Sequence, residues 1–202
     1  MFQTQRRAAF FSFLFTVILL FAGQAEAVGP VPGEAAPPIV AAKWSRGIPI
    51  EQYEAGQVYV VDLWSTWCKP CIASMPELRE LENQFSESVT VIAMNIWEME
   101  PQQMPQFLEA NGSIMPAHVA LDSVPSGREA NEGLTAVQFL GTSERVSIPK
   151  SFIVDQSGRI AWIGLPGGLE EPLSRVVAGT WDTKAFAEKY LEELAAADKS
   201  RK

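Results

Sequence analysis

The sequence feature that most constrains the fold is a pair of cysteines separated by two residues and placed directly after a hydrophobic run. The run is 58–64, and the segment Trp67-Cys68-Lys69-Pro70-Cys71 that follows it holds both cysteines of the chain. This order is typical of a strand, a turn and the start of a helix. Unpaired backbone N–H groups at a helix start, together with the helix dipole, stabilise a thiolate there. We therefore predict thiol–disulfide exchange through Cys68 and Cys71, which can close a small disulfide ring.

Other uses of a cysteine pair fit this chain less well. A structural zinc site needs four cysteine or histidine ligands, and beyond the two cysteines the chain offers only His118. A purely structural disulfide across so short a loop would restrain little of the unfolded chain, because loop entropy grows with loop length. The position after a β-run therefore favours a redox-active pair that uses neither a metal nor a cofactor.

Two distant motifs together resemble the thioredoxin fold, and more closely the exported TlpA/ResA-like thiol–disulfide oxidoreductases. The first is segment 61–71, followed by Pro76 where thioredoxins kink their first active-site helix. The second is segment 147–160, which looks like the family's cis-proline strand followed by a β-hairpin. The resemblance covers residues 39–197. It implies an α/β thioredoxin fold, with a central mixed β-sheet flanked by helices and a cis bond before Pro149.

The N-terminus has the pattern of a secretory signal. Arg6 and Arg7 precede the uncharged stretch 8–23, and segment 25–27 has the small-x-small pattern of a signal-peptidase site. We expect cleavage after Ala27 and no stable membrane insertion, because this stretch is shorter than the ~20 residues that span a bilayer. An uncleaved N-terminal anchor is the alternative. An exported protein with a cysteine pair works where disulfides persist, so we expect a periplasmic location.

The mature chain is long enough for one domain with a good core. Removing residues 1–27 leaves 175 residues, of which 14 are basic and 23 acidic, a net charge of −9. An acidic surface of this kind disfavours binding to nucleic acid. The predicted organisation is a signal peptide at 1–27, a flexible leader rich in Pro, Gly and Ala at 28–38, a thioredoxin-like domain at 39–197 and a C-terminal tail at 198–202.

Hydrophobic periodicity predicts alternating strands and helices. Strands are expected at 58–63, 89–95, 117–121, 151–155 and 160–163, and helices at 72–85, 101–110, 132–140 and after a cap at Asp182. Cys71 and Pro149 are 78 positions apart, further than in plain thioredoxins. We therefore expect an inserted βα element between the cysteine helix and the cis-proline strand, with an exposed loop at 121–133.

The two cysteines have different expected roles. Cys68, exposed at the helix start, is predicted to be the attacking thiolate, and the more buried Cys71 is predicted to resolve the mixed disulfide. The resemblance places Asp62 where thioredoxins carry a buried carboxylate below the active site. A desolvated carboxylate has a raised pKa and can take the proton of Cys71. The alternative is that Asp62 is a solvated residue at the strand end.

The resemblance also implies residues that contact the substrate. Trp67 is expected to shape the turn beside the dithiol, although packing in the core is an alternative for a large aromatic residue. Trp64 is expected in the core. Ile148 and Pro149 are expected to offer a backbone edge to an extended substrate chain. Isoleucine before the proline resembles thioredoxins more than strong oxidants, which favours a reductase.

Lys69, Pro70 and Lys150 are expected to tune the redox potential of the dithiol. Lys69 lies between the cysteines, and Lys150 follows the cis-proline. A cation near Cys68 favours its thiolate and makes it a better leaving group. The alternative is that both lysines point into water, where salt screens their charge.

These observations predict a periplasmic reductase of protein disulfides, re-reduced by a membrane thiol carrier. A disulfide oxidant or isomerase would use the same residues. A Cu(I) chaperone is an alternative of another class, because exported soft ligands suit Cu(I). Its ligands would be the two cysteines with His118, Met99 or Met104.

Overall fold

The hydrophobic runs of the sequence form the strands of a single sheet. A computed structural model of the chain describes residues 29–142 and 146–200. Its strands are β1 Ala41–Arg46, β2 Val58–Trp64, β3 Val89–Asn95, β4 His118–Asp122, β5 Lys150–Val154 and β6 Ile160–Gly164. Its helices are α1 Lys69–Gln84, α2 Met104–Asn111, α3 Leu134–Leu140, α4 Glu170–Val177 and α5 Thr183–Lys199. The predicted signal peptide lies outside the described residues.

The sheet is mixed, as predicted. Its strand order is β1-β4-β3-β2-β5-β6. β2, β3 and β4 are parallel, whereas β1, β5 and β6 each run antiparallel to the strand they join. The predicted inserted βα element corresponds to β4 and α3, which come between α2 and β5 along the chain. β4 lies between β1 and β3, so the insertion widens the sheet on one side.

Both faces of the sheet are covered, which explains why every residue of β2 is buried. Alternate residues of a strand point to opposite faces. Val60 and Trp64 belong to the core cluster that contains Cys71 of α1. Val61 belongs to a second cluster, which contains Phe139 of α3. The side of the sheet that holds the first cluster is called the α1 face below.

Two elements were not predicted from the sequence. β1 pairs with β4 through two register shifts, and its residues are half-buried or exposed, so it lacks the alternation that marks a regular strand. α4 is a helix of eight residues that follows the turn Pro166–Gly168. Short elements beside glycine-rich turns give weak periodic signals.

The remaining helices match the predictions, with shifted ends. α2 starts at Met104, after a 3₁₀ turn at Pro101–Gln103. Asp182 caps α5, because its carboxylate accepts a hydrogen bond from the Ala185 N–H at 3.0 Å. Within the described ranges, no helix combines the length and the apolar character needed to cross a bilayer.

The segment predicted as a flexible leader is bonded to the edge of the sheet where it is described. Gly33 N donates to the Ile160 carbonyl at 2.7 Å, and Ile160 N donates to the Glu34 carbonyl at 2.9 Å. Ala35 also pairs with Arg159. β6 is an edge strand whose outer N–H and C=O groups need partners, and the leader supplies them. Composition alone suggested mobility and missed this pairing.

The predicted loop is exposed, but its ends are fixed. Residues 124–129 are exposed, as expected. Asp122, before the loop, is buried and accepts hydrogen bonds from the N–H groups of Thr135 at 2.8 Å and Ala136 at 2.9 Å. These bonds satisfy N–H groups at the start of α3.

Candidate active site

The sheet brings the two sequence motifs to the same edge. β2 ends at Trp64, in register with Asn95 at the end of β3. β5 is antiparallel to β2 and begins at Lys150, which is paired with Leu63. The cysteine segment that follows β2 and the proline that precedes β5 therefore meet at this edge. The Ile148–Pro149 peptide bond is cis, as the resemblance implies.

The two cysteines form a disulfide at the start of α1. Their Cα atoms are 5.3 Å apart. Cys68 is the N-cap residue, and its Sγ accepts a hydrogen bond from the Cys71 N–H at 3.3 Å. A thiolate formed at this atom would keep that N–H as a partner and face the positive end of the helix dipole.

Cys68 is more buried than the sequence predicted. Its relative exposure is 4%, against 0% for Cys71. The expectation of an exposed Cys68 was therefore wrong for this oxidised form, because Cys68 joins the core cluster on the α1 face. Cys68 nevertheless remains the more accessible of the two cysteines.

Asp62 is a fully buried carboxylic acid within β2. It is two residues from both Val60 and Trp64 along the strand, so it lies on the α1 face, which also holds Cys71. Desolvation by burial raises the pKa of Asp62 to about 7, while the hydroxyl of Ser151 opposes this by donating a hydrogen bond to its Oδ1 at 2.6 Å. The alternative of a solvated strand-end residue is excluded by this burial.

Sequence reasoning missed Ser151 and Glu98. Ser151 lies directly opposite Asp62 on β5. Glu98 accepts hydrogen bonds from Thr66 N at 3.0 Å and from Asn95 Nδ2 at 3.0 Å. Partial burial raises the pKa of Glu98, but its hydrogen bonds outweigh this and hold the pKa below its ordinary value. Glu98 therefore ties the turn before Cys68 to the segment after β3.

Trp67 lies at the surface of the site, whereas Trp64 is in the core as predicted. The Trp67 side chain is 48% exposed, and its Nε1 donates to the Trp97 carbonyl at 3.1 Å. Trp97 has a φ of 55°, a left-handed conformation that is rare for a bulky residue. The packing alternative for Trp67 is therefore disfavoured.

The two lysines are placed differently relative to the dithiol. Lys69, the first residue of α1, is exposed. Lys150 is half-buried, and desolvation lowers its pKa. Because side chains alternate along β5, Lys150 and Phe152 lie on the face of the sheet opposite Ser151. Of the two, only Lys69 is placed to act on the charge of Cys68.

Comparison with known proteins agrees with this geometry. The family model described as Redoxin matches residues 32–178, more than half of the chain. The chain belongs to the redoxin family. The redoxin is 26% identical over 160 residues to Sporulation thiol-disulfide oxidoreductase A of Bacillus subtilis, a match covering 78% of this chain and 87% of the relative. It is 29% identical over 150 residues to Protein FixW of Rhizobium leguminosarum, covering 74% of this chain and 67% of FixW.

A further relative is also a thiol–disulfide oxidoreductase by name, and solved structures show the same fold. The match to thiol-disulfide oxidoreductase ResA of Bacillus cereus is 28% identical over 106 residues and spans about half of each chain, 52% and 53%. The crystal structure of StoA from Bacillus subtilis has a TM-score of 0.50 at 24% identity, covering 69% of this chain and 98% of StoA. A thioredoxin-like protein solved in the oxidised form has a TM-score of 0.55 at 18% identity, covering 73% and 97%. The redoxin is a TlpA/ResA-like thiol–disulfide oxidoreductase of the thioredoxin superfamily.

Of the further ligands in the copper alternative, His118 lies away from the dithiol, whereas Met104 is in the core cluster that contains both cysteines. His118 pairs with Ile92 of β3, three positions before Asn95, so it lies about 10 Å along the strands from the active-site edge. Its ring packs edge-on to Trp44, with centroids 6.4 Å apart, and its Nδ1 lies 3.9 Å from Glu82 Oε1. Met104 is buried, whereas Met99 is 74% exposed. Among residues 29–142 and 146–200, no three His, Cys, Asp or Glu side chains are grouped to hold a metal.

Replacing Lys69 with glutamate tests the electrostatic role of this residue. We expect the pKa of reduced Cys68 to rise by about half a pH unit at low salt, because a cation beside the thiolate becomes an anion in a well-solvated position. The disulfide should also become harder to reduce, since its reduced form is less stabilised. Thiolate absorbance titrations at low and high salt measure the change, with Lys150→Glu as the control on the opposite face. An unchanged pKa at low salt would leave the helix terminus as the sole activator.

Proposed function

We propose that this thiol–disulfide oxidoreductase is a periplasmic reductase of protein disulfides. The observation that carries the proposal is the buried Asp62 on the α1 face, the face that also holds Cys71. Its Oδ2 has no hydrogen-bond partner among the described residues. A carboxylate with a pKa of about 7 is suited to accept a thiol proton near neutral pH.

In the first step, the Cys68 thiolate attacks one sulfur of a client disulfide. A bond forms between Cys68 and that sulfur, the client disulfide breaks, and the second client sulfur leaves as a thiolate that takes a proton from water. The Cys71 N–H, which contacts the Cys68 sulfur in the oxidised form, supports this thiolate. Trp67, Ile148 and Pro149 border the site and would hold the extended client chain.

In the second step, Cys71 gives its proton to Asp62 and attacks the Cys68 sulfur. The Cys68–Cys71 bond forms, the Cys68–client bond breaks, and the client sulfur leaves as a thiolate. The client gains two electrons and the enzyme dithiol loses two. The Asp62 proton is released again before the next cycle. Asp62 therefore acts in the step that releases the client.

The N-terminal sequence supports the proposed location, and that location creates the need for an electron donor. The signal pattern in residues 1–27 supports export to a compartment where disulfides persist. A reductase working there needs re-reduction, and we propose a membrane thiol carrier as its donor. We propose proteins with accessible disulfides as its clients; the acidic surface does not suit nucleic acid.

The reduction potential of the Cys68/Cys71 pair tests the direction of electron flow. We expect a value near ~−270 mV, as for thioredoxin, because Ile148 and a carboxylate remote from Cys68 favour a reductase. The measurement is equilibration in buffers of graded thiol–disulfide ratio, followed by alkylation and mass analysis. A value near ~−120 mV would identify an oxidant and contradict the proposal.

A further inference from the structure

Ser151 and Asp62 form a cross-strand pair inside the core. The two residues are directly opposite each other in the β2–β5 register, although 89 positions separate them in sequence. Side chains of such a pair lie on the same face with Cβ atoms about 5 Å apart. Both residues have 0% exposure, and the Ser151 hydroxyl donates to Asp62 Oδ1 at 2.6 Å. This short hydrogen bond is therefore shielded from competing water.

The strand on the other side of Ser151 is apolar at this position. β6 presents Gly164 opposite Ser151. A Cβ atom added to Gly164 would lie 2.3 Å from Trp162 Cζ2, so the Trp162 ring occupies the space above this glycine. β6 thus offers no side-chain acceptor that would draw the Ser151 hydroxyl away from Asp62.

Few charged groups face Asp62 from the elements packed against it. α1 contributes Cys71 and, further along the helix, Glu82, which accepts hydrogen bonds from Val91 N at 3.3 Å and Ala117 N at 2.7 Å. β3 contributes Ala93, in register with Asp62. The nearest lysine in sequence on β5, Lys150, lies on the opposite face. The Ser151 hydroxyl is thus a polar contact that stabilises the ionised carboxylate, and it is the side chain that hydrogen-bonds Asp62 among the described residues.

We infer that Ser151 is a positioning residue for the proton transfer that releases the client. Its hydroxyl holds Oδ1 of Asp62 and leaves Oδ2 as the oxygen that exchanges a proton with Cys71. The inference rests on the proposed role of Asp62. On the other side of β2, the neighbouring strand β3 (Val89–Asn95) carries no charged residue and places Ala93 opposite Asp62.

The test measures release of a trapped mixed disulfide against pH by stopped flow in the full mature chain. In the parent protein, the release rate should rise with pH and level off near pH 7, where Asp62 becomes ionised. Ser151→Ala should move this bend up by about one pH unit and slow release at pH 6 roughly ninefold, because a hydrogen bond to the charged form is lost. The first step, formation of the mixed disulfide, should not change.

A matched pair of variants separates the hydroxyl from packing. Threonine and valine have nearly the same shape, but only threonine keeps the hydroxyl. The pH at which the release rate levels off should therefore return to the parent value in Ser151→Thr and stay raised in Ser151→Val. Asp62→Asn should abolish the bend, and adding Ser151→Ala to it should change nothing further.

The outcomes distinguish the inference from the proposed function. If Asp62→Asn keeps the bend near pH 7, Asp62 is not the base, and both fail. If Asp62→Asn abolishes the bend but Ser151→Ala and Ser151→Val retain the parent profile, only the positioning role of Ser151 is overturned. Equal slowing by Ser151→Ala with and without Asp62 would also overturn it, since that result indicates a purely structural effect.

Discussion

A Cys71→Ser variant is expected to accumulate a mixed disulfide with its client, whereas Cys68→Ser should accumulate none. Cys68 is the helix N-cap residue and the more accessible sulfur, so it makes the first attack. Cys71 is fully buried and is needed only to break the Cys68–client bond. Without its thiol, the intermediate has no internal route to release. The expected difference is nearly all-or-none.

The experiment uses a model protein with one accessible disulfide and detects the adduct by non-reducing electrophoresis and mass analysis. A double Cys68→Ser, Cys71→Ser variant measures the background, and reductant should cleave any genuine mixed disulfide. The client disulfide must be accessible and unhindered, because Cys68 is only 4% exposed in the oxidised form. Equal trapping by Cys68→Ser would reverse the assigned roles of the two cysteines.

Local sequence patterns were sufficient to predict the part of the site that lies on one segment. The strand, the turn and both cysteines are contiguous, and the N-cap position of Cys68 follows from the start of the helix at Lys69. Asp62 lies on the same segment, six residues before Cys68, although its role as a buried carboxylate came from the family resemblance. Each of these features depends on neighbours within a few residues, which periodicity and motif spacing report directly.

Features that depend on strand register were not predicted. Ser151 contacts Asp62 only because β5 pairs with β2 in one register, and a slip of one residue would place Lys150 or Phe152 on that face instead. The bonds of Glu98 to Thr66 and Asn95 likewise depend on how the segment after β3 returns to the active-site edge. The sequence signal for such a contact is a single polar residue within an apolar segment, which does not identify its partner.

The burial of Cys68 and the docking of the leader have a common cause. Both segments were assigned from their own composition, as an exposed turn and a mobile tether. In the fold, Cys68 packs into the core cluster on the α1 face. Residues 33–36 hydrogen-bond to backbone groups at the edge of the sheet that would otherwise be unpaired. The composition of a segment does not show which apolar surface or unpaired backbone groups elsewhere in the fold it will contact.

Asp62→Asn is expected to stabilise the oxidised protein strongly above neutral pH. The pKa of Asp62 is about 7 in the fold and about 3.9 in an unfolded chain. Between pH 4 and 7 the folded state therefore holds a proton that the unfolded state has released, so the free energy of unfolding falls as pH rises through this window. At about 1.4 kcal/mol per pH unit, the loss reaches about 4 kcal/mol above pH 7.

Asparagine removes this cost because it has no charge to bury, and its side-chain oxygen still accepts the Ser151 hydrogen bond. The parent and the variant should therefore have similar free energies of unfolding near pH 4, and the variant should gain about 4 kcal/mol by pH 8. Urea unfolding with the disulfide intact, at pH values from 4 to 8, measures the difference.

Asp182→Asn is the matched control, since it changes an exposed cap that asparagine also fills. A gain independent of pH, or the same gain in the control, would contradict a buried titrating Asp62. If the gain follows the predicted window, the carboxylate that would release the client also destabilises the fold at the pH where it works, which is a cost that function rather than stability explains.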